Sequence, residues 1–99
     1  MKFNNILHIT DDYLYLKAKK HKNIIKQKLA LNTVYGGKIY NIKKFMKIFE
    51  KLLNENHLNN SLFGETIKII VSSNYTPADI TFLKNVMTCF NYRKIVIEK

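Results

Sequence analysis

One cysteine, one proline, three glycines and one arginine are all that 99 residues hold of four informative residue types. With only Cys89, no internal disulfide can form, which excludes a small secreted disulfide scaffold and points to a reducing compartment. Cys89 sits in an apolar stretch and is expected to be a buried, inert thiol. The scarcity of proline and glycine beside 46% apolar residues excludes linker-like, fibrous and disordered chains. No apolar run reaches the roughly 20 residues that span a bilayer. The opening run Ile6-Leu7-His8-Ile9 is too short and too polar at its ends for a signal-peptide core, so a cytoplasmic protein is expected.

Chemistry-bearing residues are equally sparse. His8, His21 and His57 fall on separate segments without metal-ligand spacing, and one cysteine cannot complete a zinc site with them. Gly36, Gly37 and Gly64 do not form a phosphate loop of the Walker or dinucleotide type. Serines are few, and no base lies near Ser72-Ser73, so acyl transfer has no support. No catalytic residue, metal or cofactor is expected, and the chain is read as a non-enzyme.

What is abundant is lysine. Sixteen lysines and one arginine against seven acids give a formal charge of +10. Such a charge favours polyanionic partners, nucleic acid among them. Specific readers of phosphate and bases use the arginine fork, however, and Arg93 is alone. The lysines at Lys17, Lys19, Lys20, Lys22, Lys26 and Lys28 cluster around one turn. They are candidates for a polyanion site and equally for charges that keep a sheet edge from aggregating.

Length allows one core and one domain over residues 1–99. Ile6-Leu7-His8-Ile9 and Tyr13-Leu14-Tyr15-Leu16 read as two strands of a tight hairpin about Thr10-Asp11-Asp12, and residues 24–31 as a third antiparallel strand. Gly36-Gly37 marks a turn. Asn41 can cap a helix whose apolar positions Ile42, Phe45, Met46, Phe49, Leu52 and Leu53 recur every three or four residues, with Lys43, Lys44, Lys47, Glu50 and Lys51 opposite. Leu62-Phe63-Gly64 leads to Ile67-Lys68-Ile69-Ile70-Val71, a β-branched run expected to be covered on both faces near the sheet centre. Thr76-Pro77-Ala78-Asp79 starts a second helix, with a threonine cap, proline at the first position and a carboxylate three residues after the cap. That helix should reach about Asn91 and, being apolar nearly all round, be more buried than the first. Residues 94–97 close the chain as a strand. The fold class is α/β, a mixed sheet in the order β-β-β-α-β-α-β with helices packed on it. Right-handed crossovers make strands one, four and five parallel.

In such a sheet, ligands settle beyond the carboxyl ends of the strands. Thr10, Asp11 and Asp12 after strand one and Ser72, Ser73, Asn74 and Tyr75 after strand four should converge there. They are candidates for a degenerate phosphate or metal site, or for an ordinary turn and loop.

The stretch from Ile67 through Ser72-Ser73-Asn74-Tyr75-Thr76-Pro77-Ala78-Asp79 to Phe90-Asn91-Tyr92-Arg93-Lys94-Ile95-Val96-Ile97-Glu98 resembles a strand, serine loop, threonine-capped helix and closing strand of the actin-like ATPases. Gly37-Lys38-Ile39-Tyr40-Asn41 and the helix after it are similar to the opening of that group's first helix. The resemblance covers nearly the whole chain and is to the N-terminal subdomain of bacterial actins of the MreB rod-shape-determining family, with the FtsA-like division and pilus-assembly proteins close behind. It implies a ribonuclease-H-like (actin-like) fold. The family's Asp-x-Gly-Ser/Thr loop is replaced here by the glycine-free Thr10-Asp11-Asp12, and the second phosphate loop and adenosine pocket would lie beyond Lys99. An ATP site is therefore not expected. Three functions remain open: a non-catalytic actin-like module acting through a protein partner or self-association in the bacterial cytoskeleton or in division; a small basic nucleic-acid-binding protein of ribonuclease-H-like fold; and the N-terminal remnant of a longer actin-like ATPase.

Overall fold

A computed structural model describes residues 3–19, 21–58 and 64–99. Strand β1 (Asn5–Ile9) turns through Thr10 into β2 (Tyr13–Ala18), and β3 (Ile25–Lys28) follows. A two-residue hairpin, β4 (Val34–Tyr35) and β5 (Lys38–Ile39), precedes helix α1 (Ile42–Glu55). Then come β6 (Thr66–Ile70), α2 (Pro77–Met87) with a short 3-10 turn to Phe90, and β7 (Lys94–Glu98). The main sheet runs β3-β2-β1-β6-β7, with β1, β6 and β7 parallel and β2 antiparallel to both of its neighbours.

Local chemistry explains the boundaries. Asn41 has extended backbone and its side chain accepts from the Lys44 amide, capping α1. Thr76 and Asp79 form a reciprocal capping box at α2, with Pro77 where a missing N–H costs nothing. Asn91, at φ 61°, ends the 3-10 turn in the left-handed region that asparagine tolerates. The third strand is shorter than its apolar pattern suggests: only residues 25–28 pair, and Ile24 is 63% exposed.

Both helices lie on one side of the sheet. Leu7, Ile9, Leu14, Leu16, Ile67 and Ile69 point into a single core with Phe45, Phe49, Leu52, Leu83 and Met87. Phe45 stacks on Phe49 at 6.1 Å, and Phe90 meets Phe49 edge-on at 4.8 Å, which joins α1 to the end of α2. Each aromatic pair adds ~1 kcal/mol beyond area burial. The arrangement follows from handedness: two right-handed crossovers stepping the same way, β1 to β6 to β7, land their helices on the same face.

Three expectations are corrected as a result. Among the described residues, helices cover β6 on one face only; Ile67 and Ile69 are buried, while Lys68 and Ile70 on the other face are part-exposed. α2 is not more buried than α1, because it lies by the edge strand β7, and its Phe82 is 47% exposed. Cys89 is exposed rather than buried, because the 3-10 turn swings it outward as Phe90 enters the core. The expected approach Leu62-Phe63 falls outside the described residues.

Polar clasps fix the parallel pairing. Asn4 exchanges hydrogen bonds with Thr66 at 2.9 and 3.0 Å, and the buried Asn5 donates to Glu65 Oε1 and the Thr66 carbonyl. Thr33, fully buried, accepts at its carbonyl from the Tyr40 and Asn41 amides and thereby ties the small hairpin to the start of α1.

Candidate functional site

The two segments expected beyond the strand ends do converge, and a third joins them. Asp11 sits at the tip of the β1–β2 turn, and its carboxylate accepts from the Gly36 amide at 3.1 Å and the Gly37 amide at 2.6 Å. Asn74 donates to the Gly36 carbonyl at 3.0 Å, and Ser72 donates to the Asn74 side-chain oxygen. Gly36 and Gly37 both have positive φ, 59° and 82°, so their adjacent N–H groups can aim at one acceptor. A Cβ built on Gly37 would lie 2.6 Å from Ser72 Cβ, so the close approach of the two loops requires glycine there.

Paired backbone amides in this geometry attract an anion. Here the anion is the protein's own: Asp11 occupies both donors. The remaining candidates divide. Thr10 is absorbed by its turn, where its hydroxyl donates to the Tyr13 carbonyl and accepts from the Tyr13 amide. Asp12 is exposed and its backbone carbonyl accepts from Leu29, while Ser73 is exposed on the loop after β6. Gly36-Gly37 was legible as a turn; its role as the third wall was not, because the contacts to Asp11 span 25 and 26 residues.

Beside this cluster, Lys38 Nζ lies 2.9 Å from Asp79. The Thr76 backbone amide, joined by Lys38, holds the Asp79 carboxyl down to about 2. Burial, reinforced by the Asp79 charge, pushes the Tyr75 hydroxyl up to about 12. Neither effect prepares a nucleophile or a base. Among the described residues, no group of three or more histidine, cysteine, aspartate or glutamate side chains could hold a metal.

The sheet face away from the helices is the second candidate. Register places Lys17, Ile6, Lys68 and Val96 in one row across β2 to β7, and Lys26, Tyr15, His8, Ile70 and Glu98 in the next across β3 to β7. A shallow groove of about 390 Å³ runs between the rows, lined by Ile6, His8, Tyr15, Lys17, Ile24 and Ile70. Of the clustered lysines, Lys17, Lys26 and Lys28 lie on this face, with Lys26 Nζ 4.1 Å above the Tyr13 ring. Lys19 and Lys22 are exposed near the β2–β3 turn, and Lys20 lies outside the described residues. No helix among the described residues covers this face.

With fold and loops in view, the class is clear: the mixed sheet with two helices is an actin-like fold. The whole chain superposes on MreB5 of Spiroplasma citri bound to AMPPNP, with TM-score 0.75 and 11% identity over 39% of that chain. The same protein bound to ADP matches with TM-score 0.70 and 10% identity, over 97% of this chain and 38% of that one. The chain thus spans about two fifths of the length of these MreB5 chains. No protein-family model and no curated protein matches the sequence. No helix among the described residues is long and apolar enough to cross a membrane.

Proposed function

We propose that this chain is a non-catalytic actin-like module that works in the cytoplasm by binding another protein, in the setting of a bacterial cytoskeleton or division apparatus. The observation that carries the reading is the uncovered sheet face. Parallel strands are ordinarily buried on both sides, yet β1, β6 and β7 show Ile6, Ile70 and Val96 on a face that no helix among the described residues covers. An apolar strip of this kind is what a partner buries.

The non-catalytic half rests on the loop cluster. The solved neighbours carry AMPPNP or ADP. In this chain the glycine amides at the strand ends hold Asp11, and a second anion there would meet a like charge.

Two measurements made together test the reading. Calorimetric titration with Mg-ATP should give no binding heat. Affinity capture from a bacterial lysate should retain a protein on the wild-type chain that the Ile6→Glu/Ile70→Glu variant releases. Saturable ATP binding would overturn the first half, and equal capture by both proteins the second.

A further inference from the structure

We infer that the open sheet face is the seat of an amphipathic helix with acidic flanks, supplied by a partner protein; the inference rests on the protein-contact reading above and names the partner's chemistry. The face divides in two. Its parallel half, β1, β6 and β7, presents Ile6, Ile70 and Val96 with His8 and the Lys68–Glu98 pair among them, and parallel strands are ordinarily covered. Its antiparallel half presents Tyr13, Tyr15, Lys17, Lys26 and Lys28, the half-wet pattern that antiparallel strands tolerate.

Dimensions favour a helix. The groove floor crosses from β3 to β6, about 14 Å at the usual strand spacing, which suits one helix with its side chains lying obliquely on the sheet. A helix of about 18 residues is roughly 27 Å long, matching the molecule's 30 × 27 × 21 Å extents.

Charge sets the sign of the flanks. Lys17 lines the groove itself, and Lys26 and Lys28 stand beside it on β3. Towards β7, Lys68 is paired with Glu98 at 3.0 Å. Glutamates or aspartates beside the partner's apolar stripe would meet these lysines, steering the encounter and fixing direction.

A second copy fits less well where the two-fold axis runs across the strands, because Lys17 and Lys26 then face their own kind. A single-stranded nucleic acid fits less well too. Its bases need free aromatic faces, whereas Lys26 sits over Tyr13 and isoleucines line the groove.

The test uses two fluorescein-labelled synthetic helices of about 18 residues with the same leucine stripe, one flanked by glutamate and one by lysine. Binding is read by anisotropy and by backbone amide shifts of the full chain. The glutamate helix should bind at least tenfold more tightly than the lysine helix, with shifts confined to β1, β2, β3, β6 and β7. Ile70→Glu should weaken it tenfold or more. Lys17→Glu/Lys26→Glu, which leaves the isoleucines intact, should reverse the preference. The inference is overturned if the two helices bind alike or not at all, if the shifts fall on α1 or α2, if a single-stranded oligonucleotide displaces the peptide from this face, or if the face instead closes a dimer that Ile70→Glu dissociates. Retained lysate capture with no preference between the helices would sink the acidic helix alone, whereas ATP binding would strike the broader reading.

Discussion

Replacing Gly37 by alanine should be far more damaging than replacing its neighbour Gly36, although both glycines have positive φ. At Gly36, φ is 59° and no atom lies within 4 Å of the added Cβ. The cost there is the left-handed backbone alone, about 1 kcal/mol for an alanine. At Gly37, φ is 82° and the new Cβ would stand 2.6 Å from Ser72 Cβ. Carbon atoms prefer about 3.5–4.0 Å, and rotating the serine hydroxyl does not move its Cβ, so one loop's backbone must give way. Overpacking of this kind costs about 1–3 kcal/mol on top of the backbone term. The shift would also stretch the 2.6 Å bond from the Gly37 amide to Asp11. We expect G37A to lose about 3 kcal/mol, roughly 12 °C or more in Tm for a domain this size, against about 1 kcal/mol for G36A. Urea unfolding followed by circular dichroism reads both. Ser72→Gly in the G37A background removes the offending atom and should recover about 1–2 kcal/mol in a double-mutant cycle. If G37A and G36A lie within experimental error of each other, or if the cycle shows no coupling, the loops after β1, β4 and β6 do not meet as described.

Other consequences follow from the core and from the shifted ionisations of Asp79 and Tyr75. Phe49→Ala, which removes a fully buried ring contacted by Phe45 and Phe90, should cost about 3–5 kcal/mol and leave much of the chain unfolded at 37 °C by thermal melt. Because the Asp79 carboxyl is depressed from 3.8 to about 2 in the fold, its stabilising effect is present above pH 4 and disappears as pH falls towards 2; Asp79→Asn should flatten the acid limb of a stability–pH curve in that window. Tyr75 runs the other way: raised from 10.0 to about 12, it stabilises below pH 10 and ceases to do so as pH climbs to 12, so Tyr75→Phe should flatten the alkaline limb by the same assay.

Much of the architecture is legible in residue order because it is locally encoded. The cap at Asn41, the Thr76-Pro77-Asp79 helix start and the β-branched run at 67–71 act over a few residues, and each appears where its chemistry places it. Strand pairing follows from them through the handedness and connection rules. What is not legible depends on layers. A run such as Ile67-Lys68-Ile69-Ile70 has enough apolar residues for two covered faces, and only the placement of both helices on one side decides that Ile70 meets solvent. The exposure of Cys89 is likewise decided by a change from α to 3-10 winding after Met87, which no periodicity announces. At the candidate site, the meeting of the loops after β1 and β6 could be anticipated from topology. The capture of the Gly36 and Gly37 amides by Asp11 could not, since it joins residues far apart in the chain.

Among the described residues, no helix covers one side of the sheet. Relaxation of isoleucine methyl signals by a soluble gadolinium chelate measures this residue by residue in the intact chain. Ile6, Ile24 and Ile70 should relax strongly, while Ile67 and Ile69, adjacent in sequence but facing the helices, should be nearly untouched. Equal protection of Ile6 and Ile70 with Ile67 and Ile69 would mean that both faces are already covered, and the docking surface would not exist.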